Sequence, residues 1–300
     1  MRETESSKIE KNAKNSASSK SPLSAGCCAW GVEGLLHLAD NTLILAQRNA
    51  EWCGHGPILE QDIAITNISL DLIGQSRNFY QYAAQLQNKN IKPAESEAPP
   101  SEVPDREGTK FDGEASEDSL AYLRTEREFK NCLLVEQQNG DWGQTILRQF
   151  FFSAYQYLLY EKLQNSNDEQ IAAIAAKALK EVTYHLRWSS EWVIRLGDGT
   201  EESHQRMLKA IDELWRYTGE LFIAADYELE AGLDPGLLKE EWMKKITVVF
   251  AEATLPIPPL GGGGAVFMQT GGKQGVHTEQ LGFILTELQY LQRTYPGAEW

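Results

Sequence analysis

Four long stretches of this chain repeat an apolar side chain at every third or fourth position, which is the spacing of one face of an α-helix. These stretches cover residues 35–52, 59–86, 141–163 and 168–196. The alternation of apolar and polar residues that is typical of strands is almost absent. The sequence therefore predicts an all-α fold in which four long helices form a bundle. Additional helices are predicted at 120–135, 200–229, 235–251 and 277–294.

Two segments lack this helical pattern. Residues 1–32 are rich in Ser, Lys, Asn and Glu, and such a composition buries too little apolar surface to offset the entropy of ordering. We predict a disordered N-terminal tail there. Residues 88–116 combine four prolines with many acidic residues, which predicts a linker. This linker interrupts a single helical domain at 33–300.

Charge and hydropathy exclude several classes of function. The 300 residues carry a net charge of -15 and a pI of about 4.9, so nucleic acid and anionic membrane surfaces are repelled. No apolar run approaches the roughly 20 residues that span a bilayer. The cysteines show no C-x-x-C spacing, which indicates reduced thiols and a cytoplasmic location. They are Cys27, Cys28, Cys53 and Cys132.

The middle of each apolar stripe is where a carboxylate-bridged di-iron protein places its metal ligands. Such a bundle needs about four carboxylates and two imidazoles, with a Glu-x-x-His pair on two of the helices. In this chain the corresponding positions hold Thr42, Leu72, Gln75, Ser153, Val182 and His185. Because His185 alone is a metal-ligand residue type, we predict that the chain binds no di-iron cofactor.

Other metal sites are also disfavoured by position. The literal Glu-x-x-His at Glu201–His204 falls in the first turn of a helix, where an acid is favoured by the helix dipole and both side chains should be solvated. Glu181 and His185 have chelate spacing, but no third ligand is indicated. We therefore predict that His185 is a buried histidine hydrogen-bonded to Gln75 or Tyr157.

Several longer motifs occur together and in one order along the chain. They are Glu51–Pro57, Asp71–Phe79, Glu126–Asn131, Leu196–Thr200, Leu214–Phe222, Thr270–Glu279 and Gln289–Arg293. In these motifs the chain resembles the C-subunit family of the bacterial ring 1,2-phenylacetyl-CoA epoxidases, members of the ferritin-like superfamily. The resemblance runs from about Leu35 to the end, and the tail and the acidic linker depart from the family pattern.

The resemblance implies a ferritin-like four-helix bundle that acts as a non-catalytic, structural subunit. It implies pairing with a homologous catalytic A subunit that holds the di-iron centre. It further implies a wider complex with a small B subunit and a reductase that takes electrons from NADPH. The complex would epoxidise the ring of phenylacetyl-CoA during aerobic phenylacetate catabolism.

The resemblance also implies contact with the CoA substrate. The carry-over falls on Glu128, Phe129, Lys130 and Asn131. Lys130 is suited to pair with a CoA phosphate, and Phe129 to pack on the thioester arm or the adenine. The alternative is that Arg127 and Glu128 are ordinary surface charges of a helix.

Two other functions remain open at this level. A free-standing CoA-thioester-binding module would bind phenylacetyl-CoA without a partner. A weakly active di-iron oxygenase would need core carboxylates, and the sequence does not supply them. The structural-subunit hypothesis accounts for both the bundle and the missing ligands.

Overall fold

The computed structural model describes residues 30–90, 114–258, 267–296 and residue 298. In this part of the chain there are helices and loops but no strands. The α-helices are α1 Val32–Ala50, α2 Leu59–Asn90, α3 Glu117–Tyr122, α4 Leu133–Glu136, α5 Trp142–Leu163, α6 Glu169–Gly197, α7 Glu201–Leu214, α8 Asp226–Glu230, α9 Lys239–Glu252, α10 Glu279–Leu288 and α11 Tyr290–Thr294. Short 3-10 helices lie at Glu126–Glu128, Trp215–Tyr217, Gly219–Phe222, Pro235–Leu238 and Gly272–Gln274.

The four long helices α1, α2, α5 and α6 form the bundle. Helix α1 packs along α2, α5 packs along α6, and α2 closes against α6. Helices α7 and α9 pack on α5 and α6, and α10 lies against α1. The predicted all-α, ferritin-like four-helix bundle with additional helices is confirmed.

Local sequence signals set the helix ends. The side chains of Asp141, Asp168 and Thr200 accept hydrogen bonds from backbone N–H groups in the first turns of α5, α6 and α7. These groups have no partner inside the helix, so a capping oxygen stabilises each start. The turn after α1 contains Gly54 at a φ of 80°, a left-handed conformation that favours glycine.

Two predicted helices are wrong in extent. The single helix predicted at 120–135 is instead α3, one turn of 3-10 helix and α4, separated by extended residues. The helix predicted at 200–229 ends at Leu214 and continues as two 3-10 turns and α8. In both regions buried side chains from distant parts of the chain bind the backbone, and these contacts override helical periodicity.

The ends of the predicted tail and linker belong to the folded part. Residues 1–29 and 91–113 lie outside the described residues, but Trp30 is buried and α1 begins at Val32. The side-chain amide of Asn88 donates to the carbonyl of Ala115 at 2.9 Å and accepts from its N–H at 2.8 Å. The two ends of the acidic segment are therefore held together.

Aromatic side chains fill the space where α5, α7 and α9 meet. Phe151 lies 5.7 Å from both Trp215 and Trp242, measured between ring centroids, and Phe222 lies 5.2 Å from Trp242. Each ring buries a large apolar area, so this layer is a major source of stability.

Among the described helices, none has the length and apolar character needed to cross a bilayer.

Candidate functional site

Three of the predicted ligand positions at the centre of the bundle hold buried side chains with no charge. Leu72 and Val182 have no exposed surface, and Thr42 is 1% exposed. The Thr42 hydroxyl donates to the carbonyls of Leu38 and Ala39 in its own helix, at 3.2 and 2.9 Å. Leu72 and Val182 have no oxygen or nitrogen to offer a metal, and the Thr42 hydroxyl is bonded within its own helix.

Gln75 lies in a network of neutral hydrogen-bonding groups and one carboxylate. Its amide nitrogen donates to Glu181 at 2.8 Å, and its amide oxygen accepts from Gln156 at 2.9 Å and from the Tyr160 hydroxyl at 3.3 Å. Burial raises the pKa of Tyr160, so this hydroxyl stays protonated and donates. Both the nitrogen and the oxygen of the Gln75 amide are therefore used inside the chain.

Ser153 belongs to a second buried polar chain. Gln149 donates to the Ser153 hydroxyl at 2.8 Å and accepts from Asn49 at 2.7 Å. Arg148 donates to the carbonyl of Gln137, and burial lowers its pKa to about 9. A hydroxyl that is hydrogen-bonded within the chain thus occupies the Ser153 position, where a di-iron protein has a metal ligand.

His185 has a partner that the sequence did not suggest. Its Nε2 lies 3.0 Å from the carboxylate of Asp71, one turn before Gln75 on α2, and not against Gln75 or Tyr157. The predicted partners of His185 are therefore wrong, although its full burial agrees with the prediction. Glu181 binds Gln75 instead, so Glu181 and His185 do not converge on one point.

The segment predicted to contact CoA is divided between surface and core. Glu128 is exposed and Lys130 is half-buried, whereas Phe129 and Asn131 have no exposed surface. The Phe129 ring lies under the guanidinium of Arg124, which is 4.2 Å from the ring centroid. Phe129 is thus a packing residue in this chain, and its ring offers no face to a ligand.

A buried ionic network around Asp40 in the middle of α1 was not foreseen from the sequence. Asp40 of α1 is fully buried and accepts hydrogen bonds from Arg124, from the Tyr80 hydroxyl and from the Lys130 N–H at 2.8 Å. Burial alone would lower the pKa of Arg124, but the charge and hydrogen bond of Asp40, together with the charges of Tyr80 and Glu128, outweigh burial and raise it. Burial, and then the Asp40 charge, raises the pKa of Tyr80.

A second ion pair in this network joins Lys273 to Glu228. The two side chains are 1% and 0% exposed, and Nζ lies 2.9 Å from Oε2. Lys273 also donates to the carbonyl of Ile223 at 2.8 Å. The loop around it is shaped by Gly271 and Gly275, which adopt φ values of 138° and 79°. The Gly-Gly-Lys-Gln-Gly motif is the sequence pattern from which this site could have been predicted. Glycines on both sides of the lysine allow the loop to turn its side chain inward.

Two further carboxylates hold irregular backbone. Glu220 accepts from the N–H groups of Leu133 and Gly271, each at 2.7 Å, and burial raises its pKa despite these donors. Glu136 accepts from His277 Nδ1 at 2.8 Å and from the Thr278 N–H at 2.7 Å. The network therefore fastens three non-helical segments to the bundle rather than forming a reactive centre.

Comparison with known proteins gives the family. The profile of the family described as "Phenylacetic acid catabolic protein" matches residues 25–300. The chain belongs to this family. It is also 46% identical over 270 residues to the C subunit of 1,2-phenylacetyl-CoA epoxidase from Escherichia coli (strain K12), covering 88% of this chain and 97% of that protein.

In this member of the phenylacetic acid catabolic protein family, the residues at the centre of the bundle do not fit a di-iron site. Across the described residues, no three His, Cys, Asp or Glu side chains form a group that could hold a metal ion. The positions that the fold would use carry Leu72 and Val182, which have no donor atom, and Gln75, whose amide is fully engaged. A bound iron pair would need about four carboxylates and two imidazoles at this point.

Proposed function

We propose that this chain is a non-catalytic, structural subunit of a phenylacetyl-CoA epoxidase complex and that it stabilises a homologous catalytic A subunit. The observation that carries the proposal is the bundle centre, where hydrocarbon and internally paired amides replace metal ligands. The relative from Escherichia coli, which is named as the C subunit of this epoxidase, supports the assignment to the complex.

The packed centre suits a supporting role for a physical reason. A cluster of buried carboxylates without a metal carries a large desolvation cost. Leu72 and Val182 remove that cost and add buried apolar surface. The bundle is then stable without a cofactor and presents a fixed shape to a partner.

The rest of the assembly follows from the family resemblance. The di-iron centre belongs to the A subunit, and the B subunit and an NADPH-dependent reductase complete the complex. The chain works in the cytoplasm and binds neither nucleic acid nor membrane, in keeping with its net charge of -15.

A contact with the CoA part of the substrate is a second element of the proposal. Of the four residues predicted to make this contact, Glu128 and Lys130 have side chains that are not fully buried, so the proposal is limited to these two. Lys130 has a half-buried side chain, and its backbone N–H is fixed to Asp40 at 2.8 Å. A lysine on a rigid backbone is suited to hold a phosphate.

Replacing Lys130 with Gln should raise KM for phenylacetyl-CoA by about tenfold with kcat unchanged, whereas the neighbouring Arg127→Gln should leave KM unchanged. Equal effects of the two substitutions would contradict the contact.

Reconstitution of turnover tests the structural role. The reductase, the A and B subunits and phenylacetyl-CoA are combined with and without this chain, and NADPH-dependent epoxidation is measured. We expect turnover only when the chain and the A subunit are both present, and none from the chain with the reductase alone. The His185→Asn variant should keep turnover within about twofold, because a residue outside the reaction removes no transition-state stabilisation. Turnover by the chain without the A subunit would overturn the proposal.

A further inference from the structure

The outer face of α2 carries a line of exposed aliphatic side chains. These four residues, here called the outer stripe, are Leu59 at 71% exposed, Ile63 at 51%, Leu70 at 60% and Ile73 at 37%. Their spacing places them along one side of the helix over about 21 Å. The opposite side of α2 carries the core residues Ile65, Ile68, Leu72 and Phe79.

The outer stripe is large enough to have a function. Its exposed area is on the order of 400 Å², within the roughly 300–600 Å² of the largest apolar patch on a typical monomer, a patch that is often functional. One side of a standard protein interface buries about 800 Å², so the stripe would form the apolar centre of such an interface and not the whole of it.

Gly74 gives a second and independent indication on the same face. It is exposed in the middle of the 32-residue α2, and a Cβ added to it would meet no atom within 4 Å. Glycine destabilises a helix interior relative to alanine, and nothing inside this chain requires it here. An absent side chain on an outer face allows another chain to approach the helix backbone closely.

A groove beside Gly74 continues the outer stripe toward α6. Its volume is about 110 Å³, and its apolar lining includes Leu70 and Gly74 from α2 with Ile174 and Ala178 from α6. Gly74 and Ala178 leave room for a side chain from outside, and polar residues including Lys177 and Glu181 of α6 complete the lining. The stripe, the glycine and the groove therefore form one continuous surface.

The charges around the outer stripe indicate what kind of partner it accepts. Residues 56–76 contain no Lys or Arg, and Glu60 is an exposed acid beside the stripe. Asp62 and Asp71 add negative charge, although each already has one partner, the Gly56 N–H at 2.9 Å and His185 Nε2 at 3.0 Å. Arg77 at the far end is paired with Glu117 at 2.8 Å. Two copies of this chain, each with a net charge of -15, would bring acid against acid. A partner that places Lys or Arg beside an apolar helix face is complementary.

We propose that the outer stripe and the groove beside Gly74 dock an apolar, basic-flanked helix of the catalytic subunit. This inference rests on the proposed function, and it adds the location of the contact and its chemistry. Leu70 and Ile73 form the buried centre, Gly74 permits close approach of the partner helix, and the exposed Glu60 pairs with a basic side chain of the partner.

Three substitutions on the surface and one elsewhere test the location. The full chain carrying Leu70→Glu, Gly74→Leu or Gly74→Ala is compared with wild type for its Kd with the catalytic subunit and for its own Tm. Val248→Glu on α9 is the matched control, because Val248 is equally exposed at 65%. We expect Leu70→Glu to weaken binding at least about tenfold with Tm nearly unchanged, and Gly74→Leu to weaken binding as much with a Tm that does not fall. Val248→Glu should leave Kd unchanged.

Gly74→Ala separates a docking role from a folding role. Alanine should raise the Tm of the lone chain by about 2–4 °C, because it favours the helix and meets no neighbour. The same methyl group should weaken binding to the catalytic subunit. A destabilising effect on folding cannot produce this pair of opposite changes.

The outcomes distinguish the two proposals. If the wild-type chain does not bind the catalytic subunit, the proposed function and this inference are both contradicted. A wild-type chain that binds, with all the outer-face variants binding equally well, contradicts the docking surface alone. Self-association that is abolished by Leu70→Glu would make a second copy the occupant and would overturn the inference.

Discussion

Lys273 shows how strongly a single residue can depend on one buried partner. Its ammonium group and the Glu228 carboxylate are both removed from solvent and lie 2.9 Å apart. Breaking such a pair on one side leaves an uncompensated buried charge. The Lys273→Met substitution should therefore lower the free energy of unfolding by about 3–5 kcal/mol, measured by urea denaturation.

A surface lysine provides the control for this experiment. Lys244 contacts Glu241 at 2.7 Å, but its side chain is 57% exposed. Water already stabilises both charges there, so Lys244→Met should produce no measurable change. If the two substitutions cost the same, the buried pair would not have the structural role described above.

His277 should make stability depend on pH in a defined direction. Burial alone would lower its pKa, but the hydrogen bond and charge of Glu136, together with the Phe129 carbonyl and the Asp40 charge, outweigh burial and raise it above 6.5. A raised pKa in the folded state stabilises the fold fully below pH 6.5, and this contribution is lost as the pH rises through the folded pKa. The excess unfolding free energy of wild type over His277→Gln should thus be larger at about pH 5.5 than at about pH 8.5.

His37 should behave in the opposite way. Burial lowers its pKa below 6.5, and this outweighs the attraction of Glu228. The folded state therefore favours neutral His37, and stability is lost as the pH falls from 6.5 through the folded pKa. The advantage of wild type over His37→Gln should shrink on acidification, as measured by the same urea titrations. A parallel response of the two variants would contradict the assignment of the partners.

At the scale of single elements, the start of α6 depends on a cap. Asp168 accepts from the N–H groups of Gln170 and Ile171, at 3.0 and 3.1 Å, and from the Tyr82 hydroxyl of α2 at 2.7 Å. Asp168→Ala should lower the free energy of unfolding by about 0.5–2 kcal/mol. The Tyr82→Phe substitution isolates the tie to α2, and thermal unfolding of both variants separates the two contributions. Equal stability of Asp168→Ala and wild type would contradict the capping role.

The long elements could be predicted from sequence because their periodicity is local. Helices such as α5 and α6 repeat an apolar face over more than 20 residues, and Asp141 and Asp168 supply recognisable starts. The segment at 120–135 has similar periodicity, but Asp40 and Glu136 bind its backbone and side chains and hold it in short pieces. Such contacts join residues up to about 90 positions apart, so no local pattern indicates them.

Residue types at the candidate site could be read from the sequence, but the partners of those residues could not. Residue types alone gave Leu72 and Val182 as unable to bind metal. The partner of His185 required the register of α2 against α6, which places Asp71 and not Gln75 beside it. The burial of Phe129 likewise depended on Arg124 lying over its ring, a contact made only in the folded chain.

At the scale of the whole molecule, the described part of the chain combines a bundle centre that carries Leu72 and Val182 at metal-ligand positions with one helix that has an apolar outer face. The core is closed by internally paired groups such as Gln75 with Glu181. The outer stripe on α2 leaves apolar area exposed to solvent, at a cost that association would remove. Both features fit a protein whose stability serves assembly with a partner.

Iron content is the measurement that tests the central claim most directly. The chain is purified alone from iron-replete cells and again as a complex with the catalytic subunit, and iron is determined by mass spectrometry against protein concentration. We expect almost no iron in the lone chain and about two atoms per heterodimer in the complex. About two iron atoms in the lone chain would contradict a non-catalytic role. The chain would then hold a metal site despite the residues at the ligand positions, which are Thr42, Leu72, Gln75, Ser153 and Val182.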